Sequence, residues 1–321
     1  MKKPIGGYFE WEFVKKEERY YHHKAIGFLA TGRSSLNLIL SHLRPTCVHV
    51  PYYICDAVLQ SFEACSIPFV FFSINEQFDP VHIPRLQDGE YFLYPDYFGL
   101  KGKTVRKLYK ILGNRLILDN SQNYFARYEI PVWSFNSVRK FLGMPDGSYV
   151  YGPQRIEPSF PRFEKYSLDH LLLRSAGDLE NGFKHFVDYE NKLTPGIARG
   201  SLLTEMQIKL VDHVRIKKIR RQNFEQVNKA FEKVNRFKTR LERTTVPMVY
   251  PLMFDRPVNR EKVFSEKIFM ASYWPEIITR SSNGFLEEKK INSNTLFLPI
   301  DQRYNSSDMK DLIRAIKHSY L

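Results

Sequence analysis

The sequence predicts an α/β fold built on a mostly parallel sheet. Through the first half of the chain, short apolar runs of strand length alternate with helical patterns, the order that places a parallel sheet beneath crossover helices. The small polar and charged residues best suited to chemistry gather where those runs end, which is where ligands sit in such sheets. A chain of 321 residues with 43% hydrophobic and 26% charged content suits a globular protein of about two domains.

The elements follow in order. Leu36, Ile39, Leu40 and Leu43 recur at i, i+3, i+4 and i+7, predicting an amphipathic helix that opens just after Gly32. Residues 48–50, 68–74, 91–94, 115–118, 132–135 and 148–151 read as strands, and 57–64 and 104–112 as helices. From 166 to 230 the pattern is mostly helical and charged. Strand-like 246–252, a helix near 260–264 and strand-like 295–298 come next. The last helix has Ser306 or Ser307 as its expected cap and Met309, Leu312, Ile313 and Ile316 as its apolar stripe. A soft boundary near Gly200 divides a larger domain, 1–200, from a smaller one, 201–321. Internal repeats are absent from the sequence.

Composition excludes several classes. With 25 Phe and 19 Tyr the chain is too aromatic to be disordered, and 16 Gly and 18 Pro fit neither collagen nor a low-complexity tract. No apolar run approaches the roughly 18 residues needed to cross a bilayer. The opening MKKPIGGYFEWEF lacks a continuous apolar core and reads as part of the mature protein. Cys47, Cys55 and Cys65 are an odd set without a Cys-x-x-Cys pair, which argues against a disulfide framework or a zinc site and suits the cytoplasm.

The net charge of +13 favours anionic partners. Basic residues concentrate at 101–110 and at 209–221, where ordinary charge patterning reads them as solvated helix faces. No zinc-finger spacing, RNP-like strand or Gly-x-x-Gly loop supports nucleic-acid binding.

Three constellations carry the chemistry. Thr31-Gly32-Arg33-Ser34-Ser35 directly precedes the first helix, where free N–H groups, hydroxyls and the helix dipole favour a phosphate. The same residues also suit plain N-capping by Ser34 or Ser35. Asp119-Asn120-Ser121-Gln122 follows the strand at 115–118. Asp119 there is either a turn residue bonding its own backbone or the partner of a protonated ring nitrogen, with Gln122 in reach of a ring oxygen. Ser137-Val138-Arg139-Lys140 follows the strand at 132–135 and leads into Gly143-Met144-Pro145-Asp146-Gly147. Ser-x-x-Lys occurs in serine acyl enzymes, but the accompanying β-lactamase motifs are absent. Read with the other two, it makes Lys140 a Schiff-base lysine and Ser137 a phosphate ligand, the plain alternative being a surface lysine.

In this order the motifs resemble the DegT/DnrJ/StrS-type sugar aminotransferases, pyridoxal-phosphate enzymes of the aspartate-aminotransferase fold, in a divergent and shorter form. The matching segments are IGGYFEWE, TGRSSLNLIL, VPYYICDAV, PDYFGL, ILDNSQNYF, SVRKFLGMPDGSYVY, RRQNF, YWPEI and LPIDQRY, so the resemblance runs from Ile5 to Tyr304. It implies an aspartate-aminotransferase-like large domain with a mostly parallel sheet and a smaller α/β C-terminal domain. It implies Lys140 as the cofactor lysine, Asp119 on the pyridinium nitrogen and Gln122 on the ring hydroxyl. Ser137 and the backbone at Gly32, Arg33 and Ser34 would hold the phosphate. Cys55 stands at the strict position of the residue that stacks on the ring, with Tyr52 or Tyr53 as aromatic substitutes. Tyr97-Phe98-Gly99 would border the pocket.

The resemblance further implies a nucleotide-linked keto-sugar substrate in surface-polysaccharide synthesis, an amino donor such as glutamate, and a homodimer. Two departures stand out. An Asn-Tyr-Arg segment is replaced by Gly196-Ile197-Ala198-Arg199-Gly200, and the loop after the lysine ends in Asp146-Gly147-Ser148 in place of Gly-Gly. A non-catalytic binding or scaffold relative is the alternative reading. A sugar dehydratase of this fold carries His at the lysine position, which Lys140 opposes.

His22-His23 lacks metal-ligand spacing. Arg303 would bind a substrate carboxylate or pair with Asp301. Trp274 reads as core packing.

Overall fold

The computed structural model describes residues 5–8, 22, 24–154, 159–193, 196–264, 266–280 and 284–321. Half of the IGGYFEWE segment and His23 lie outside the described residues. The first half contains β1 (Ile5–Gly6), β2 (Gly27–Leu29), α1 (Gly32–Leu43), β3 (Cys47–Pro51), α2 (Asp56–Ala64), β4 (Phe69–Phe72), β5 (Glu90–Pro95), α3 (Gly102–Leu112), β6 (Leu116–Asn120), β7 (Trp133–Asn136) and β8 (Ser148–Tyr151).

Seven of these strands form one sheet in the order β2-β8-β7-β6-β5-β3-β4. The strands from β7 through β4 pair in parallel, while β8 runs antiparallel to both of its neighbours. A central parallel strand is covered on both faces, which is why β6 reads Leu-Ile-Leu without alternation. One face carries Leu36, Ile39, Val58 and Phe62 of α1 and α2 against Leu93, Ile117 and Phe135. The other packs Phe92, Tyr94 and Leu118 against Val105 and Leu108 of α3 and against Met248 and Phe297 from the second half. Burying each such side chain stabilises by about 1.5–3 kcal/mol. The period of two along a strand puts Asp119 on the α1/α2 face with Ile117.

The second half holds α4 (Asp169–Ser175), α5 (Leu179–Lys192), α6 (Leu202–Ile208), α7 (His213–Phe231), β9 (Val249–Met253), α8 (Glu261–Phe264), β10 (Ile268–Phe269), α9 (Glu276–Thr279), α10 (Leu286–Asn294), β11 (Thr295–Pro299) and α11 (Ser306–Tyr320). β9 and β11 form an antiparallel pair, and β10 pairs in parallel with β1. Among the described residues no helix is long and apolar enough to cross a membrane.

Three local readings need correction. The cap of α11 is Asn305, not Ser306 or Ser307. Its side chain accepts from the N–H groups of Ser307 (2.8 Å) and Asp308 (3.2 Å), and Asp308 returns a bond to its backbone N–H (2.8 Å). The two serines belong to the first helical turn. β2 was not expected: three residues opening on glycine carry too little pattern, and its place is set by pairing with β8. Arg220 does not lie on a solvated face. It is fully buried and donates to the carbonyls of Pro247, Met248 and Phe141 and to Gln302.

Candidate active site

The three constellations converge at the carboxyl ends of β6 and β7 and the start of α1. β6 carries Asp119 to its carboxyl end, where Oδ1 accepts from the backbone N–H of Ser121 at 2.7 Å. Ser121 Oγ in turn accepts from Lys140 Nζ at 3.1 Å. Asp119, Ser121 and Lys140 thus form a chain across two loops. Burial raises the Asp119 carboxyl above the usual range, and the Lys140 charge opposes the rise. A dehydrated carboxylate of this kind suits a cationic partner.

Gln122 is buried, and its Oε1 accepts from the Phe98 N–H at 2.9 Å. Its Nε2 is buried without a partner among the described residues. This bond fixes Phe98, which sits at φ 57° in the turn between Tyr97 and Gly99.

The lysine loop is held at several points. Val138 N–H donates to Gly147 O at 2.9 Å and Gly147 N–H to Ala30 O at 2.6 Å. Gly147 has φ +114°, and a Cβ there would stand 2.8 Å from the Val138 side chain, so only glycine closes this loop without strain. Asp146 accepts from the N–H and the hydroxyl of Ser201, each at 2.6 Å, and from the Thr204 hydroxyl. The departure from Gly-Gly therefore has a structural role, tying the lysine loop to the start of α6.

At α1, Thr31 is the cap, accepting from the Ser34 N–H at 3.0 Å. Neither Ser34 nor Ser35 takes that place. The Ser34 hydroxyl donates to Gly196 O at 2.7 Å, and that of Ser35 meets Ser148 Oγ at 2.7 Å. Gly32 and Arg33 occupy the first turn, with the Arg33 guanidinium on Gln60 Oε1 at 3.1 Å. Ser137 is half-buried beyond β7. Glu190 of α5 pairs with Arg139. Its carboxyl is held below the usual range by Arg139, Arg33 and Lys140 against the effect of burial. A carboxylate therefore already lies within the field of the basic groups around the expected phosphate site.

Cys55 stands at the N-cap position of α2, without a side-chain capping bond, near Lys140 and Asp119. Burial raises its thiol, with Lys140 lowering it and Asp119 raising it. The rings of Tyr52 and Tyr53 are engaged elsewhere. Tyr52 stacks on Phe285 at 4.2 Å and donates to Arg280 O at 2.8 Å, while Tyr53 packs on Tyr97 and Trp274 and donates to Tyr273 O. Trp274 is packed as the sequence suggests. Arg303 is ion-paired with Asp301 at 2.8 Å. His22 lies against Tyr149 and bonds the Tyr151 hydroxyl. Among the described residues no group of three His, Cys, Asp or Glu stands ready for a metal.

Sequence reasoning names Ser121 and Asp146 without giving either a role, and misses Glu190. Ser121 lies inside the Asp-x-x-Gln motif and was in view. Glu190 carries no local signal, because its partner is 51 positions away.

Two observations test whether these residues suit pyridoxal phosphate. Among the described residues the Nε2 of Gln122 is a donor without an acceptor, and Asp119 is a buried carboxylate whose charge is favoured by Lys140 and by Ser121. Both fit the group.

No protein-family model matches the sequence, and no curated protein matches it. Solved structures do match. DesV of S. venezuelae, solved with a ketimine intermediate, aligns at TM-score 0.64 and 14% identity, over 91% of this chain and 84% of that one. PseC of Helicobacter pylori, an aminotransferase of pseudoaminic acid biosynthesis, aligns at 0.63 and 11% over 99% of each chain. A DegT DnrJ EryC1 StrS aminotransferase from Brucella abortus aligns at 0.60 and 14%, over 91% and 84%. With its large, mostly parallel sheet closed by α1, α2 and α3, the chain has the aspartate-aminotransferase-like fold of the DegT/DnrJ/EryC1/StrS-type sugar aminotransferases.

Proposed function

We propose that the protein is a pyridoxal-phosphate-dependent aminotransferase acting on a keto sugar, with a nucleotide-linked substrate, a glutamate-type amino donor, a homodimeric assembly, a cytoplasmic location and a role in surface-polysaccharide synthesis. The observation that carries the reading is the chain Asp119–Ser121–Lys140, joined by bonds of 2.7 and 3.1 Å, beside the unpartnered Gln122 Nε2. The net charge of +13 supports an anionic substrate, and the solved aminotransferases of the same fold support the reaction class.

When bound, pyridoxal phosphate supplies an electron sink for the carbon that bears the amino group. Asp119 would keep a proton on the ring nitrogen, and Gln122 Nε2 would donate to the ring oxygen. The first-turn N–H groups of Gly32 and Arg33, with the Ser137 hydroxyl, would hold the phosphate. Lys140 Nζ would anchor the cofactor covalently and, as a free amine, would take or return the proton at the carbon that bears the amino group. Ser121 Oγ orients that nitrogen. Cys55, kept as a neutral thiol by burial, would offer the ring face a small soft contact.

The test is spectroscopic. Purified protein mixed with pyridoxal phosphate should gain a visible absorption band, and borohydride should fix the cofactor to Lys140 by mass mapping. Absence of both would return the protein to the binding or scaffold reading.

A further inference from the structure

Lys140 also lines a cavity of about 720 Å³ between the α4/α5 hairpin, the lysine loop and the segment around β10. Its wall is largely apolar, with a cluster of aromatic rings on one side. Tyr8 stacks on Phe186 with centroids 5.3 Å apart and planes 6° from parallel, and Phe183 lies 6.2 Å from Tyr8. Phe183 is 56% exposed and forms an open edge.

Arg174 belongs to the same wall and is only 7% exposed. Its Nη2 donates to Gly6 O at 2.7 Å, and its guanidinium lies 4.6 Å over the Tyr8 ring. No carboxylate pairs with it among the described residues. Two half-buried arginines near the site do have one: Arg139 has Glu190 and Arg303 has Asp301. The acid on this wall, Glu180, sits on the solvated rim and pairs with Lys184 at 3.0 Å. His170, 2% exposed and also lining the cavity, has an Nδ1 that is buried without a partner among the described residues. A buried guanidinium without a counter-ion is costly, and a ligand that supplies the anion removes the cost.

We propose that this cavity binds an organic anion, its carboxylate or phosphate paired with Arg174 and its flat apolar body laid against Phe186, Phe183 and Tyr8. That the anion is a substrate rests on the aminotransferase reading, because Lys140 lines the same cavity; that it binds does not. Two sources share this chemistry: an aromatic 2-oxo acid or amino acid, and the nucleoside diphosphate part of a sugar nucleotide.

Calorimetric titration of the full-length protein with phenylpyruvate and, separately, with uridine diphosphate distinguishes the sources. Saturable binding of either anion is expected, weakened at least about 10-fold in Arg174→Gln. Uridine and acetophenone, which lack the anion, should bind weakly and be indifferent to that substitution. Should Arg174→Gln fail to fold, Phe183→Ser decides, since it alters an exposed side chain; a severalfold loss is expected. Binding of neither anion, or unchanged binding in the folded variants, overturns the proposal. Borohydride trapping on Lys140 is scored separately. Trapping without anion binding sinks this proposal alone, and anion binding without trapping upholds it while removing the aminotransferase reading.

Discussion

The fully buried Arg220 of α7 donates from Nη2 to the backbone carbonyl of Phe141 at 3.4 Å, with its guanidinium carbon 4.6 Å over the Phe141 ring. Gln302 donates to the same carbonyl at 2.7 Å. Phe141 follows Lys140, so two side chains of the second half hold the residue beside the expected reactive lysine. Arg220→Met should cost about 3 kcal/mol in urea unfolding, since it strips hydrogen bonds from several buried carbonyls. Unchanged stability would show that these carbonyls find other donors.

Asp119→Asn separates charge from turn. Asparagine keeps an oxygen for the Ser121 N–H, so folding should be unchanged. Cofactor affinity should fall by about 10-fold or more, the value of one charge-assisted bond of roughly 1.5–3 kcal/mol. Half-transamination with an amino donor should fall further. A variant with wild-type titration and turnover would leave Asp119 as a turn residue only.

Lys140→Ala should fold, because the side chain is half-buried and contributes little packing. It should yield no borohydride-stable adduct. An adduct on another lysine would reassign the anchor.

Glu190 sets a further expectation. Its carboxylate lies in the field of Arg33, Arg139 and Lys140, where the phosphate is expected. Glu190→Gln removes a competing anion and should tighten inorganic phosphate, and with it the cofactor, severalfold. Weaker phosphate binding in this variant would show that Glu190 organises the arginines.

Acid should destabilise the fold in a defined window. His170 and His213 are buried and held neutral, each lowered to about 4 from 6.5. Between those values the unfolded chain binds protons that the folded chain does not. Stability is therefore flat above pH 6.5 and falls as pH drops toward 4, by roughly 2 kcal/mol per histidine at pH 5. Urea midpoints at pH 7 and pH 5 measure this, and His170→Gln should reduce the difference.

Much of the large sheet was legible because buried parallel strands announce themselves as apolar runs, as at 91–94 and 115–118. Asp119, Gln122 and Lys140 were legible because each follows such a run. Pairings over long separations were not. Asp146 reaches Ser201 across 55 positions, and no local pattern marks either end. Arg174 looked like one basic residue in a helical stretch, and only the packing of Tyr8 and α5 around it reveals its burial. Tyr52 and Tyr53 looked equivalent to a ring-stacking residue, yet their hydroxyls reach the carbonyls of Arg280 and Tyr273, a preference decided by tertiary neighbours.

The pairing of β1 with β10 bears on the order in which the molecule is assembled. Gly6 N–H meets the Tyr304 hydroxyl at 2.6 Å across 298 positions, and closing so long a loop in an unstructured chain costs roughly 5 kcal/mol in entropy. Every strand of the seven-stranded sheet lies before residue 152, so that sheet can pair while the ribosome is still adding the second half. Gly6 and Gly7 must wait for Phe269 of β10, and Gly6 for Tyr304, to emerge. The cavity beside Lys140 thus takes shape only after β10 has emerged, and a nascent chain has its sheet well before it has this cavity.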